Sequence, residues 1–449
     1  MRGLNLLLGL AALACCFFWP IGQPSARQPL RVYSAVAPAS SSIAVAPASA
    51  PAAAAAAAPA ATAVASIELE LPPSEALDQP ADPDQLPQPE TITCARYAGP
   101  LRWNRFPGGC GPTKSLRSIE TLERAPHLAA APRTLVPFAL ADLRLAPGTP
   151  FARAAEVNAA YLRSLSLDRL LFSFRSTAGL PQPRGARPFG GWEAPGAGIR
   201  GHFVGHYLSA LAAGGAGGDA SLVEIARRAL AELERCQRAY DARASGGATG
   251  YQAGYLAAFP PSEFAKVERH QTAWVPHYAT HKVLAGLLAL HTELRLPAAL
   301  PLALGLGRWL WLRAESVVKS RGRAHWAELL NYEVGALAEC FVQLATETGN
   351  RSWLVPAALF ERECFLGPLA AAGSLHAPAA KSRAEPPFAQ PEGERAAAAA
   401  AVNGLHANAH LAFALGAAAR YEATGSSAAR LAVDAFWRLI HGGHVGGHF

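Results

Sequence analysis

The sequence predicts an all-α fold in which helical hairpins close into a toroid of inner and outer helices. From Ala152 onward, apolar residues recur with the period of an α-helix, and strand-like alternation is nearly absent. Short turns rich in Gly, Asn, Asp or Ser divide the helices into pairs. Tandem hairpins of this length form either an open solenoid or a closed toroid. The positions of three histidine pairs favour the toroid.

Four hairpins are recognised by their turns. They cover residues 201–240 with a turn at GGAGGD, 276–316 with a turn near Leu296 and Pro297, 333–362 with a turn at TETGNRS, and 406–440 with a turn at EATGSS. Gly349 and Gly425 supply the left-handed residue that ends a helix, and the chain after each of them begins a new one. The turns therefore predict helices paired along the chain.

A histidine pair with i, i+4 spacing lies near the start of the first helix in three of these hairpins. The pairs are His202 and His206, His277 and His281, and His406 and His410. Side chains four residues apart share one face of a helix. If the first helices stand side by side in a toroid, the pairs meet at one mouth of its cavity, whereas a solenoid would spread them along a groove. The spacing predicts a polar site, although each single pair is also typical of a buried helix whose histidines contact only their neighbours.

The residues between the histidines disfavour metal binding by these pairs. A zinc-protease helix requires Glu directly after the first His, but Phe203, Tyr278 and Ala407 occupy that position. The cysteines form no two-cysteine metal motif. We therefore expect no metal at the histidine pairs.

Two aromatic or acidic segments are further candidates for the site. Trp192 and Glu193 lie in the connection PFGGWE just before the first hairpin. An aromatic ring can pack on a sugar while carboxylates bind its hydroxyls, but a loop aromatic is as often a simple anchor. Glu333 and Glu339 lie on a helix that is otherwise apolar, where a buried carboxylate is costly unless it is paired or functional. Glu333 also has a structural interpretation, because a carboxylate at a helix start favours the dipole.

The N-terminal sequence predicts export. An apolar run at residues 4–19 follows Met1-Arg2-Gly3 and is closed by Pro20, so residues 1–22 are predicted to be a signal peptide or a signal-anchor. The run is short for a stable span, but as an anchor it would tether the protein to a membrane. Residues 23–92 are rich in Ala, Pro and Ser and are predicted to be a disordered stem, followed by a loop-rich segment at 93–135. We expect a protein of the secretory pathway, either secreted or anchored in the Golgi or at the cell surface.

Two cysteines of the loop-rich segment are candidates for a disulfide. Cys94 and Cys110 lie sixteen positions apart in CARYAGPLRWNRFPGGC, and an oxidising compartment would allow them to pair.

The composition fits one large globular domain after the N-terminal tail. About 350 residues follow residue 92, and 51% of the whole chain is hydrophobic. The net charge is +7, but the basic residues are scattered and form no dense cluster. Nucleic-acid binding is therefore not expected.

At this point the order of several segments resembles glycoside hydrolase family 127, the β-L-arabinofuranosidase-like proteins. The segments that carry the resemblance are LRSLSLDRLLFSFRSTAGLP, GGWEAPGAGIRGHFVGHYLSALA, GYLAAFP, WVPHYATHKVLAGLL, EVGALAE, FLGPLA, GLHANAH, RYEATG and FWRLI. The resemblance implies an (α/α)6 toroid, a six-hairpin catalytic domain, over residues 136–449. It also implies hydrolysis of glycans that contain L-arabinofuranose or related sugars.

The resemblance assigns several residues to the substrate cavity. They are His202, His206, His281, His406 and the helix that carries Glu333 and Glu339. EVGALAE replaces a segment close to EGGMNE in relatives, so the match is partial there. The low-complexity stretch 370–401 resembles a surface insertion.

The resemblance further implies a general-acid glutamate and zinc-binding cysteines, one of them the nucleophile, beyond the Gly-Gly segment. Here the sequence closes with HVGGHF at residues 444–449, and both catalytic groups would lie beyond Phe449. No catalytic residue is therefore assignable, and the zinc of the complete family domain is not expected in this chain.

Two consequences follow from this resemblance for the fold and the function. Roughly nine helices are recognisable, and we expect a toroid that is incomplete at its C-terminal end. The predicted function is a non-reducing-end β-L-arabinofuranosidase whose 449-residue chain is itself inactive. The alternatives are a non-catalytic carbohydrate-binding relative and a helical scaffold.

Overall fold

The computed structural model describes residues 137–245, 253–271, 273–330, 337–374 and 407–441. In these ranges the chain forms fourteen α-helices and three 3₁₀ helices, without a strand. The helices are α1 (Pro150–Ser164), α2 (Leu167–Leu170), α3 (Phe172–Ala178), α4 (His202–Ala216), α5 (Ala220–Ser245), α6 (Ser262–Glu268), α7 (Pro276–Leu294), α8 (Ala299–Arg321), α9 (Arg323–Leu329), α10 (Leu337–Thr348), α11 (Leu354–Leu359), α12 (Glu363–Ser374), α13 (Ala407–Thr424) and α14 (Ser427–His441). The predicted all-α fold of helical hairpins is confirmed.

Three of the four predicted hairpins are single pairs of long helices, namely α4 with α5, α7 with α8 and α13 with α14. Gly349 and Gly425 have φ of 68° and 69°, the left-handed conformation predicted for them. The hairpin predicted at 333–362 differs, because a 3₁₀ turn at Arg351–Trp353, the short helix α11 and then α12 follow α10 in place of one long helix. The stretch 370–401 also begins differently, since Ala370 and Ala372 are buried in α12 and belong to the core.

Several predictions concern residues outside the described ranges. They are the signal at 1–22, the stem at 23–92, the segment at 93–135 with Cys94 and Cys110, and most of the stretch 370–401. Within the described ranges, none of the helices combines the length and apolar character required to cross a membrane. Cys364 is disulfide-bonded, whereas Cys236 and Cys340 are free and buried.

The first helices of the hairpins pack on one another in chain order. α4 packs along α7, α7 against α10, and α10 against α13. Each second helix packs on its own first helix, so α5 covers α4, α8 covers α7 and α14 covers α13. The sequence explains the two layers, because α4 and α7 are apolar around most of their circumference while α5 carries a charged outer face.

Aromatic side chains fill the core between these layers. Trp309 of α8 lies 4.5 Å from Tyr255 and 4.9 Å from Phe264 between ring centres, and all three rings are fully buried. Each such ring contributes about 1.5–3 kcal/mol by leaving water. A second buried cluster joins α12, α13 and α14 through Phe365, Phe413 and Phe436.

Two glycines allow α4 and α7 to approach backbone to backbone. A Cβ atom on Gly205 would lie 2.0 Å from the carbonyl carbon of Lys282, and one on Gly286 would lie 2.6 Å from the carbonyl oxygen of Gly205. No side chain fits at either position. The contact places the histidine face of α4 directly beside the segment of α7 that carries His281 and Lys282.

The substitution Gly205→Ala tests this contact. We expect it to lower the free energy of unfolding by about 3 kcal/mol, because the added methyl group overpacks the α4–α7 interface. Urea unfolding followed by circular dichroism measures the change. Gly196→Ala is the control, since a Cβ there meets no atom within 4 Å and its φ is not positive. Equal stability of the two variants would contradict the assigned contact.

Candidate functional site

Glu193 caps the N-terminus of α4 from the preceding loop. Its carboxylate oxygens accept hydrogen bonds from the backbone N–H groups of Gly201, at 2.8 Å, and Phe203, at 3.1 Å. Gly201, the N-cap residue itself, has φ of 92° and no side chain to offer. A carboxylate at a helix N-terminus satisfies free N–H groups and favours the helix dipole. The first role of Glu193 is therefore to hold the start of α4 in place.

His202 is oriented by the same carboxylate. Its Nδ1 lies 2.9 Å from the carbonyl oxygen of Ile199 and 3.2 Å from Oε1 of Glu193. Both partners only accept hydrogen bonds, so Nδ1 carries the proton. In the neutral ring, Nε2 is consequently left as a hydrogen-bond acceptor.

His206 and His281 bring uncharged imidazoles from α4 and α7 to the contact between these helices. Burial lowers the pKa of His206 to about 3, with smaller contributions from the positive charges of Lys282 and His202. Burial also lowers the pKa of His281 well below its usual value, and Lys282 and His206 add to the effect. Nε2 of His206 and Nδ1 of His281 are inaccessible to water and have no hydrogen-bond partner among the described residues. The fold therefore leaves the hydrogen-bonding capacity of these two nitrogens unused.

Lys282 and Glu339 complete this group, which we name the polar cluster: His206, His281, Lys282 and Glu339. Burial raises the pKa of Glu339 on α10, and the nearby ammonium of Lys282 opposes the increase. The same ammonium lies 4.8 Å from the centre of the Tyr278 ring. Three first helices, α4, α7 and α10, thus contribute to one polar group, in which His281 is buried and the other three residues are half-buried.

Cys340, next to Glu339, is not activated as a nucleophile. Burial raises the pKa of its thiol well above the usual value, and the Glu339 charge raises it further. The reactive form of cysteine is the thiolate. Cys340 therefore remains a protonated, buried thiol near neutral pH.

His277 lies in an aromatic environment. Its ring is buried, with ring centres 4.8 Å from Phe264, 5.9 Å from Trp326 and 5.9 Å from Phe360. These rings come from α6, α9 and the end of α11, and they cover the first turn of α7. The described ring contacts of His277 therefore belong to the core, unlike the surroundings of His281 one turn later.

Two tryptophans form an exposed corner beside His202. Trp192 and Trp274 remain 52% and 42% exposed, and their rings lie 6.4 Å apart at 88°. Trp192 lies 5.8 Å from the His202 ring. Trp274 precedes Val275, whose φ of 42° is strained for a β-branched residue. The strained backbone beside two exposed aromatic rings makes this corner a candidate for substrate contact, and the predicted role of Trp192 stays a prediction.

The structure thus joins some of the predicted site residues and adds others. His202 and His206 lie 6.1 Å apart between ring centres, and Trp192 and Glu193 lie against the start of the same helix. Tyr278, Lys282 and Trp274 were not assigned by the sequence, although Tyr278 and Lys282 have the same i, i+4 spacing as the histidines.

Three positions on which the sequence predictions depend lie outside the described residues. They are Glu333, His406 and Phe449. The substrate-binding roles of Glu333 and His406 therefore stay predictions. The expected location of the catalytic acid and the cysteine nucleophile beyond Phe449 stays a prediction as well.

A zinc site requires several His, Cys, Asp or Glu side chains close together. Among the described residues, no group of three or more His, Cys, Asp and Glu side chains is arranged to hold a metal ion. The described part of the site therefore does not fit zinc.

The histidines of the polar cluster should make stability depend on pH. Unfolded histidine titrates near 6.5, whereas folded His206 titrates at about 3, so the unfolded state binds more protons between these values. For each such proton, the free energy of unfolding rises by about 1.4 kcal/mol per pH unit. This slope reaches its full value only below about pH 6. His206→Gln should reduce this slope between pH 4 and 6 in urea unfolding. His291→Gln on α7, where His291 pairs with Glu347 at 3.4 Å, is the control, and an unchanged slope in the His206 variant would contradict the assignment.

Comparison with known proteins identifies the family. Residues 142–446 match the family model of the beta-L-arabinofuranosidase GH127 catalytic domain, a match that contains α1 to α14 and every described residue of the site. No curated protein matches the chain. Since the match covers more than half of the sequence, the chain belongs to the GH127 beta-L-arabinofuranosidase family and contains a glycoside hydrolase domain.

Proposed function

We propose that the polar cluster and the Trp192–Trp274 corner bind a non-reducing-end β-L-arabinofuranose unit of a glycan, as the substrate of a β-L-arabinofuranosidase. The carrying observation is the pair of neutral imidazoles, buried in His281 and half-buried in His206, whose Nδ1 and Nε2 atoms respectively lack partners among the described residues. The family supplies the reaction class, and the cluster supplies groups that match a polyhydroxylated ligand.

Uncharged imidazoles suit sugar hydroxyls better than charged ones. A neutral imidazole offers one donor and one acceptor, and a hydroxyl is both a donor and an acceptor, so one ring can bind either side of a hydroxyl. Lys282 brings an ammonium group and Glu339 a carboxyl group to the same polar cluster. Sugar hydroxyls would replace the hydrogen bonds that these nitrogens lack, which removes a cost of about 1–3 kcal/mol for each buried polar atom left unsatisfied.

The tryptophan corner provides the apolar counterpart. The two indole rings stand nearly perpendicular, and Trp192 lies next to His202. A sugar placed against one ring face would keep its hydroxyl edge toward the histidines. Exposed rings at this position support entry of a glycan from solvent.

The described residues are assigned to binding and not to bond cleavage. Glu193 is used as a helix cap, and Cys340 is a protonated thiol. The alternative of a sugar-binding relative without hydrolysis shares this binding site. Release of arabinose from a β-L-arabinofuranoside distinguishes the two alternatives.

We also propose that the protein works in the secretory pathway. The disulfide at Cys364 supports this location, because disulfides persist in oxidising compartments and are rare in the cytosol. The apolar run at residues 4–19 is consistent with export, by a cleaved signal or as a tether.

Sugar binding is tested with methyl β-L-arabinofuranoside and the full chain. We expect saturable quenching of tryptophan fluorescence, because the ligand covers Trp192 and Trp274. His281→Ala should raise the Kd by about tenfold or more, since one sugar hydroxyl loses its partner. Isothermal titration provides an independent Kd.

His291→Ala is the matched control, because His291 lies on the same helix and pairs with Glu347 outside the polar cluster. Its Kd should equal that of the unaltered chain. Absence of binding by the unaltered chain, or equal Kd values for the two histidine variants, would contradict the proposed site.

A further inference from the structure

An open cavity at the surface, with three arginines among its seven lining residues, shares no residue with the polar cluster. Its volume is about 430 Å³, and its lining includes Ser166, Asp168, Arg169, Arg184 and Arg187. These side chains come from α2 and from the connection between α3 and α4. We name it the arginine cavity.

The connection that carries Arg184 and Arg187 is held in one conformation. Pro181, Pro183 and Pro188 restrict its backbone, and the N–H of Ala186 donates to the carbonyl of Pro183 at 3.0 Å. Gly185 has φ of 77°, which places the turn in a conformation that favours glycine. The two arginines therefore project from a stiff turn.

Gln182 fastens this connection to α3. Its Nε2 donates to the carbonyl of Phe172 and to Oγ of Ser176, each at 2.9 Å. Binding at the turn would consequently cost little ordering of the backbone.

Arg169 is fixed on the opposite wall. Its guanidinium carbon lies 4.0 Å from the centre of the Phe189 ring. Its Nε and Nη2 donate to the carbonyls of Arg187 and Pro188, at 3.3 and 3.4 Å. The Nη1 end of this guanidinium makes no described hydrogen bond and stays available to a ligand.

The charges of the arginine cavity are not balanced within the described chain. Three guanidinium groups face one carboxylate, that of Asp168, and none of the three forms an ion pair with a described carboxylate. All three arginines of this cavity are exposed, whereas the half-buried Arg313 and the buried Arg420 pair with Glu268 and Glu361. The excess of positive charge indicates an anionic ligand.

The polar groups of the arginine cavity restrict the chemical class of the ligand that it can bind. Guanidinium groups bind carboxylates in a planar, two-point geometry. Asp168 can accept hydrogen bonds from hydroxyls, and Ser166 can both donate and accept them. A volume of about 430 Å³ exceeds what an inorganic anion requires and lies in the range of small-ligand sites.

We propose that the arginine cavity binds an acidic sugar, with its carboxylate on Arg184 and Arg187 and its hydroxyls on Asp168 and Ser166. This proposal rests on the proposed function in one respect: the acidic sugar and the arabinofuranose unit are taken to belong to the same glycan. Phe189, which supports Arg169, is followed by Gly190, Gly191 and Trp192, so one loop serves both sites. The substrate class then becomes an acidic, arabinose-bearing glycan.

The test is isothermal titration of the full chain at low salt with D-glucuronate, D-glucose and inorganic sulfate. We expect D-glucuronate to bind at least about tenfold more tightly than either D-glucose or sulfate, because it alone offers both a carboxylate and hydroxyls. Arg184→Gln/Arg187→Gln should weaken D-glucuronate binding about tenfold or more. Arg153→Gln/Arg228→Gln, which removes the same charge from exposed positions on α1 and α5, should leave it unchanged.

Three results would overturn the proposal: D-glucose binding as tightly as D-glucuronate, sulfate binding as tightly as D-glucuronate, or equal D-glucuronate affinity in the two double variants. Binding of methyl β-L-arabinofuranoside should be the same in both double variants. A chain that binds D-glucuronate but not the arabinofuranoside would contradict the proposed function alone, and the reverse result would contradict the arginine cavity alone.

Discussion

The close approach of α4 and α7 is the constraint on which the candidate site depends. Side chains normally hold packed helices 8–10 Å apart, but Gly205 and Gly286 bring the two backbones into direct contact. The polar side chains on the facing sides of the two helices are therefore held close to one another. The charge of His206 consequently adds to the lowering of the His281 pKa although the two residues belong to different hairpins. A larger residue at Gly205 would separate the helices and disperse this group before affecting any histidine directly.

The polar cluster is stable because only part of it is charged. Two imidazolium ions beside Lys282 would be strongly unfavourable, and the pKa values of His206 and His281 are both lowered, mainly by burial and further by the Lys282 charge. Glu339 supplies the opposite charge for Lys282, although burial makes its ionised form less favourable than in water. The cluster can therefore bind a neutral, polar ligand without changing its own protonation near neutral pH. That property is appropriate for a sugar and inappropriate for an ion.

Local signals predicted the hairpins, whereas tertiary contacts decided the roles of the site residues. Gly349 and Gly425 mark helix ends because the left-handed conformation is a property of a single residue. The histidine spacing identified His202, His206 and His281, but it gave His277 the same status. Only the structure shows that the rings of Phe264, Trp326 and Phe360, which are distant in sequence, surround the His277 ring, and its substrate-binding role stays a prediction. The capping role of Glu193 is likewise invisible in the sequence, because its partners lie eight and ten positions later and no local capping pattern connects them.

The connection between α3 and α4 is stiff, and it carries residues of both proposed sites. One end is fastened by Gln182 to α3, and the other end is fastened by the carboxylate of Glu193 to the start of α4. Between these anchors lie the arginines of the arginine cavity and then Trp192. A ligand that contacts both parts would therefore meet groups at a fixed separation, so binding one sugar unit would position the next without additional ordering of the loop. Selectivity for an acidic, arabinose-bearing glycan would then follow from the spacing of rigid groups, and it would not require the protein to close around the substrate.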